Sequence, residues 1–161
     1  MVLVQGDEPL VNPKMIDDSI APILEDKTIN VTNLVSDIKS IEEFENKNEI
    51  KVVLDKYNNA LYFSREPIPT RKKGIIDVPM KKQVCIIPFK RDFLLEYNEM
   101  KPTPLEVIES IDMMRILENG GKVRMVNTEF KTKAVDTQED LNQVSEIMKN
   151  DEIYKIYAIN D

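Results

Sequence analysis

The sequence predicts an α/β domain, on three observations. Strand-like and helix-like periodicities alternate along its 161 residues. The segment Val4-Gln5-Gly6-Asp7-Glu8-Pro9-Leu10 reads as a strand that breaks into a turn carrying carboxylates, which is where an open α/β sheet builds a ligand site. Two later helices begin with full capping signatures.

Taken in order, periodicity places a strand at about 2–5, a helix within 13–24, a strand near 30–37 and a short acidic helix around 40–46. Ile50 to Leu54 and Ala60 to Phe63 flank a turn through Lys56-Tyr57-Asn58-Asn59 and read as a β-hairpin, because Asn tolerates the left-handed backbone of a tight turn. Glu66 to Met80 gathers Pro67, Pro69, Pro79, Gly74 and the cluster Arg71-Lys72-Lys73. That composition suits an exposed loop, and the basic cluster reads as solvated rather than as a phosphate clamp. Lys82 to Phe89 then reads as one buried strand, and Asp92 to Met100 as a short helix.

Thr103-Pro104-Leu105-Glu106 supplies an N-cap, a proline at the first helical position and a capping-box Glu. The helix it starts is expected to run on as one piece. Its stripe is Leu105, Ile108, Ile111, Met114 and Leu117, with Glu106, Glu109 and Asp112 off it, and Asn119-Gly120-Gly121 is its stop. The methionines are packing rather than a cofactor box. Val123 to Val126 begins another strand. In Val135-Asp136-Thr137-Gln138-Glu139-Asp140, Thr137 is an N-cap and Asp140 the third helical residue; Leu141, Val144, Ile147 and Met148 mark that helix's buried side. From Asp151 on, a short apolar patch (Ile153, Tyr154, Ile156, Tyr157) reads either as a stray strand or as a disordered end. Residues 1–150 are thus expected to form the domain and 151–161 a tail.

Composition narrows the function. With 42% hydrophobic residues the chain can bury one core, and a net charge of -7 gives no broad basic field, so nucleic-acid binding is disfavoured. No apolar stretch approaches the roughly 20 residues that cross a bilayer, and the start lacks a secretory plan, so a cytoplasmic protein without a membrane partner is expected. The single cysteine, Cys85, lies in an apolar run and reads as core rather than nucleophile. Histidine is absent. Any chemistry therefore falls to carboxylates, cations and positioning.

Two aspartates occupy the same kind of place: Asp7 just after a strand, Asp136 between a strand-like segment and a capped helix. Facing one crevice, they would suit magnesium, which takes carboxylate oxygens plus substrate phosphates. Spacing by itself favours plain capping for both. Arg65, at the hairpin's end, suits bidentate binding of a substrate carboxylate or, equally, a surface ion pair.

Four stretches, in order from residue 4 to 141, carry more than their parts: VQGDEPL, KVVLDKYNNALYFSRE with IP at 68–69, PTPLEVIESIDMMRIL and KAVDTQEDL. Together they resemble the CMP-Kdo synthetases, the cytidylyltransferases that activate 3-deoxy-manno-octulosonate (Kdo). The resemblance implies a mixed, mostly parallel sheet flanked by helices, of the nucleotide-diphospho-sugar transferase (glycosyltransferase-A) type, with an inserted hairpin. It implies transfer of CMP from CTP to an acidic keto-sugar with release of pyrophosphate, dependent on magnesium, for lipopolysaccharide or capsule. Asp7 and Asp136 would be the catalytic metal ligands, and Gln5, Arg65, Gln83 and Glu106 would surround the sugar. A homodimer is implied, with the hairpin and its following loop as a contact region.

Departures accompany the match. Gln83 stands where the family has a sugar-binding histidine and Ile87 where it has a tyrosine, which points to a related sugar as the alternative to Kdo. Ala134 and Gln138 flank Asp136 where Gly and Pro are usual. The family's first strand and Arg/Lys phosphate loop would precede residue 4, so the chain is expected to correspond to the C-terminal two-thirds of the enzyme. An exposed sheet edge and apolar surface would then favour aggregation or a partner. The rival expectation is a non-catalytic remnant, or a binding half that needs a separate nucleotide-binding piece.

Overall fold

A computed structural model describes residues 1–74 and 77–158. Five strands form the main sheet: β2 (Thr32–Asp37), β3 (Lys51–Leu54), β4 (Ala60–Ser64), β5 (Lys81–Val84) and β7 (Arg124–Asn127), in the order β4-β3-β5-β2-β7. A smaller pair, β1 (Val2–Val4) with β6 (Ile86–Pro88), lies beside it. Helices α1 (Pro13–Glu25), α2 (Ile41–Glu45), α3 (Arg91–Glu99), α4 (Pro104–Glu109), α5 (Met113–Glu118), α6 (Gln138–Met148) and α7 (Glu152–Ala158) complete the elements among the described residues.

The α/β class and the flanking helices stand, and the expected mostly parallel sheet does not. Only β2 and β7 run parallel; the other three pairings of the main sheet are antiparallel. Two local causes account for this. The β3–β4 hairpin, turned through Asn58 at φ 61, makes those two strands mutually antiparallel, and β5, entering from the 65–80 loop, runs against both of its neighbours, β2 and β3.

The single strand expected over Lys82–Phe89 is two. Val84 pairs with Leu34 of β2, whereas Ile86 pairs with Val4 of β1, so the chain changes partners at Cys85. The exchange leaves the Cys85 backbone free for other contacts: its carbonyl accepts the Gln5 N–H at 3.3 Å and its N–H donates to Glu8 Oε1 at 3.4 Å.

The single helix expected from Thr103 is also two. Ser110 sits in the left-handed region at φ 55 and separates α4 from α5. The reason is a contact periodicity cannot show. Arg115 Nε and Nη2 reach the Glu106 carboxylate at 2.8 and 2.5 Å, yet nine residues of straight helix would hold the two roughly 13 Å apart along the axis. The break folds α5 back. It buries Glu106, Ile111 and Met114 and leaves Ile108 of the expected stripe exposed at 74%.

The main core lies between the sheet and α5, with Val35, Val52, Phe63, Met113 and Met114 at its centre; Met15 of α1 joins Leu34, Val84 and Ile86 in a second cluster. On α6 only Val144 is buried, so the expected apolar side of Leu141 and Ile147 faces outward. Residues 152–158 are helical rather than a stray strand, and residues 159–161 lie outside the described residues, as do Ile75 and Ile76 of the expected loop. No helix among the described residues is long and apolar enough to cross a membrane.

Candidate active site

The turn after β1 is closed by the Glu8 N–H donating to Gln5 O at 3.2 Å, and the Val135 N–H donates to Asp7 O at 2.9 Å. These bonds bring the 131–136 segment alongside the QGDE turn. Asp140 fixes the far side of that segment: its carboxylate accepts the Thr137 N–H at 3.0 Å and pairs with Lys133 Nζ at 2.8 Å. Lys133, then Thr137, hold the Asp140 carboxyl down at about 2. Asp7 and Asp136 thus line one cavity of about 230 Å³, together with Gln5, Gln83 and Arg65.

Asp7 is half-buried, and its Oδ1 is buried without a hydrogen-bond partner among the described residues. A buried carboxylate oxygen left bare costs free energy unless something else neutralises it. Gln83 donates its amide N–H to Asn33 Oδ1 at 2.5 Å, and Asn33 in turn donates to Val84 O at 2.7 Å. That relay fixes the Gln83 amide on β5 and leaves its oxygen as the acceptor available to a ligand.

Arg65 is anchored without being neutralised. Its guanidinium donates to three backbone carbonyls: Glu109 O at 2.8 Å, Lys47 O at 3.1 Å and Ser110 O at 3.2 Å. Of the five N–H bonds of a guanidinium, two remain. No carboxylate pairs with it among the described residues, so its charge is available to an anion.

Glu106 is not part of this cavity. Its carboxylate accepts the Thr103 N–H at 3.1 Å and binds Arg115, which also stacks over Tyr97 at 4.7 Å. Arg115 holds the Glu106 carboxyl below its ordinary range against the opposing effect of burial. The residue that the resemblance assigns to the sugar serves as a cap and an internal ion pair.

The cavity also contains groups that sequence reasoning passed over. Asp112, expected on the outer side of a continuous helix, reaches it because of the break at Ser110. Glu8, 9% exposed, has its carboxyl pushed up chiefly by burial, opposed by the Cys85 N–H and Lys82. Lys82 is 6% exposed and bridges Glu43 at 2.8 Å and Glu49 at 3.1 Å. Burial pulls its ammonium down, and Glu49 with Glu43 more than offset that. The one cue in the sequence was a lysine inside an apolar strand, which demands partners. Cys85 lines the cavity as well, with its thiol pushed up to about 12 by burial and by Glu8 and Asp7, which keeps it protonated and a poor nucleophile at neutral pH.

In sum, the cavity collects Asp7, Glu8, Glu49, Asp112 and Asp136 against the cations Arg65 and Lys82. Lys82 is already committed to Glu43 and Glu49. The remaining excess of carboxylate beside a free guanidinium suits a divalent cation on one side and an acidic ligand on the other.

Known proteins bear on this arrangement. Residues 1–131 match the family model described as cytidylyltransferase. A 3-deoxy-manno-octulosonate cytidylyltransferase of Geobacter metallireducens is 43% identical over 156 residues, 91% of this chain and 61% of the relative. Its counterpart in Fusobacterium nucleatum is 42% identical over 154 residues, 95% and 62% of the two chains. This chain therefore spans about three-fifths of the length of these relatives. A solved CMP:2-keto-3-deoxy-manno-octonic acid synthetase, complexed with CTP, superposes with a TM-score of 0.84 at 30% identity, over 92% of this chain and 61% of its own. A Bacillus anthracis protein described as a glucose-1-phosphate thymidylyltransferase reaches 0.56 at 15% identity over 94% and 55% of the two chains, a likeness of fold alone. The shared fold is that of the nucleotide-diphospho-sugar transferases. With the family model matched from the first residue through β7, and its QGDEP turn set into the carboxylate-lined cavity, the chain belongs to the cytidylyltransferase family.

Proposed function

We propose that this chain carries the sugar-binding and metal-binding side of a CMP transfer from CTP to Kdo or a closely related acidic keto-sugar. The sugar's anomeric oxygen bonds to the α-phosphorus of CTP, and pyrophosphate leaves. One observation carries the reading: a single cavity joins the carboxylates of Asp7 and Asp136 to an un-neutralised Arg65.

Arg65 takes the sugar carboxylate with its two remaining N–H groups, which orients the ring. Gln5 and Gln83 supply amide groups for sugar hydroxyls. The buried Ile87 and Met113, also in the cavity lining, keep water from that side. The donor set fits magnesium: hard oxygen ligands, one of them the unpartnered Asp7 Oδ1. Asp7 and Asp136 would hold the ion, completed by ligand oxygens and water, since no group of three or more acidic, His or Cys side chains gathers at one point among the described residues. Bound there, magnesium would neutralise the charge that develops on the phosphates. The working form is read as a cytoplasmic homodimer; Tyr57 and Leu61 of the hairpin, 61% and 60% exposed, support a subunit contact on that side.

Pyrophosphate release and CMP-sugar formation, with CTP, magnesium and Kdo, test the proposal on the chain alone and joined to the part of a relative outside the match. Product that depends on both aspartates is the expected result. Product formed only by the joined protein assigns this chain the binding half, and turnover that survives Asp7→Asn with Asp136→Asn refutes the assignment.

A further inference from the structure

We infer that Glu109, with the left-handed Ser110 after it, is the positioning device that presents Arg65 to the sugar as an uncompensated cation. The inference rests on the reading of Arg65 as the receptor of the substrate carboxylate.

Glu109 and Arg65 lie side by side, and an ordinary ion pair between them would cancel the charge the site needs. The structure prevents it. The Glu109 carboxylate is occupied by neutral donors: the Tyr62 hydroxyl at 3.1 Å and the buried Ser64 hydroxyl at 3.1 Å on Oε1, and the Arg65 backbone N–H at 2.9 Å on Oε2. Three donors from the end of β4 clamp that strand against the last turn of α4. The guanidinium then meets carbonyls instead of the carboxylate. Glu109 O and Ser110 O are helix-end acceptors, and the αL turn at Ser110 directs them toward Arg65 at 2.8 and 3.2 Å. Dipoles hold the side chain without cancelling its charge, which is how a preorganised anion receptor is built. Ser110 and Arg65 both line the cavity, so the clamp ends where the ligand binds.

The test is a pair of NMR titrations on the full chain, one with Kdo and one with the same sugar carrying its carboxylate reduced to an alcohol. In the wild type Kdo is expected to bind more tightly than the alcohol. Tyr62→Phe with Ser64→Ala releases the Glu109 carboxylate to reach the guanidinium, and Kdo affinity is expected to fall about tenfold while affinity for the alcohol holds. Glu109→Ala is expected to lose a similar factor. Glu109→Gln, whose amide can donate to the two hydroxyls and accept from the Arg65 N–H, is expected to retain most of it. Thermal unfolding of each variant separates this from a stability effect, which would weaken both sugars alike. Unchanged discrimination in the double variant and in Glu109→Ala overturns the inference while leaving Arg65 as the receptor. A wild type that does not distinguish acid from alcohol overturns the reading of Arg65 itself.

Discussion

Replacing Arg115 with Met asks directly what Glu106 is for. Their side chains are 16% and 8% exposed, with bonds of 2.8 and 2.5 Å, so the change leaves a buried carboxylate whose remaining support is backbone N–H. Breaking a buried pair from one side costs about 3–5 kcal/mol. Protonation sets a ceiling on the part of that cost that comes from the stranded charge. Neutralising a carboxyl of ordinary value 4.5 at pH 7 costs about 3.4 kcal/mol, at 1.36 kcal/mol per pH unit. The variant is therefore expected to lose about 3 kcal/mol at pH 7, plus up to about 1 kcal/mol for the lost stacking on Tyr97. In the wild type the Glu106 carboxyl is lowered, so its contribution is present above about pH 4.5 and is lost as pH falls through the depressed folded value. In the variant the same group titrates higher. The gap between the two proteins should already be smaller at pH 4 than at pH 7, and it falls to the stacking contribution only below the depressed folded value. Urea unfolding at both pH values reads this out, with Glu106→Gln titrated against Kdo in parallel. A stability gap that does not change with pH would refute the ion-pair argument. A Glu106→Gln protein of full stability that no longer binds the sugar would return Glu106 to the ligand.

Two further outcomes concern Lys82 and Cys85 in the cavity lining. Lys82→Met strands Glu43 and Glu49 and is expected to cost about 2 kcal/mol in urea unfolding. Because the Lys82 ammonium is raised from 10.5, its contribution is complete below that value and fades only as pH rises through the folded one, so the cost should be level across neutral pH; a cost that vanishes by about pH 8 would contradict the pairing. Cys85, at about 12 against an ordinary 9.0, carries about a thousandfold less thiolate than a free thiol; alkylation by iodoacetamide at neutral pH, followed by mass spectrometry, should be correspondingly slow, and a rate equal to that of free cysteine would show the burial argument to be wrong.

Local rules were legible where a short stretch of chain fixes its own structure. The hairpin turned at Asn58, the N-caps at Thr103 and Thr137 and the Gly120 stop at φ 75 each follow from a few adjacent residues. The three main departures are of another kind. Cys85 divides an apolar run because two different strands compete for its flanks. Ser110 divides a periodic helix because Glu106 and Arg115 meet across it. Three of the four main-sheet pairings are antiparallel because of how β5 and the hairpin enter.

The candidate site divides along the same line. Sequence by itself determined the α/β class, the carboxylate-bearing turn at Asp7 and the motif order that set Asp136, Arg65 and Gln5 in one family pattern, with Gln83 as a departure at a position the family uses for the sugar. Only the tertiary structure decided that these five line one cavity, that Asp112 joins them and that Glu106 does not. The physical reason is range: caps, turns and amphipathic periods are set by neighbours within a few residues, whereas an ion pair nine residues apart or a strand exchange eighty residues along gains its energy only once the chain has closed on itself.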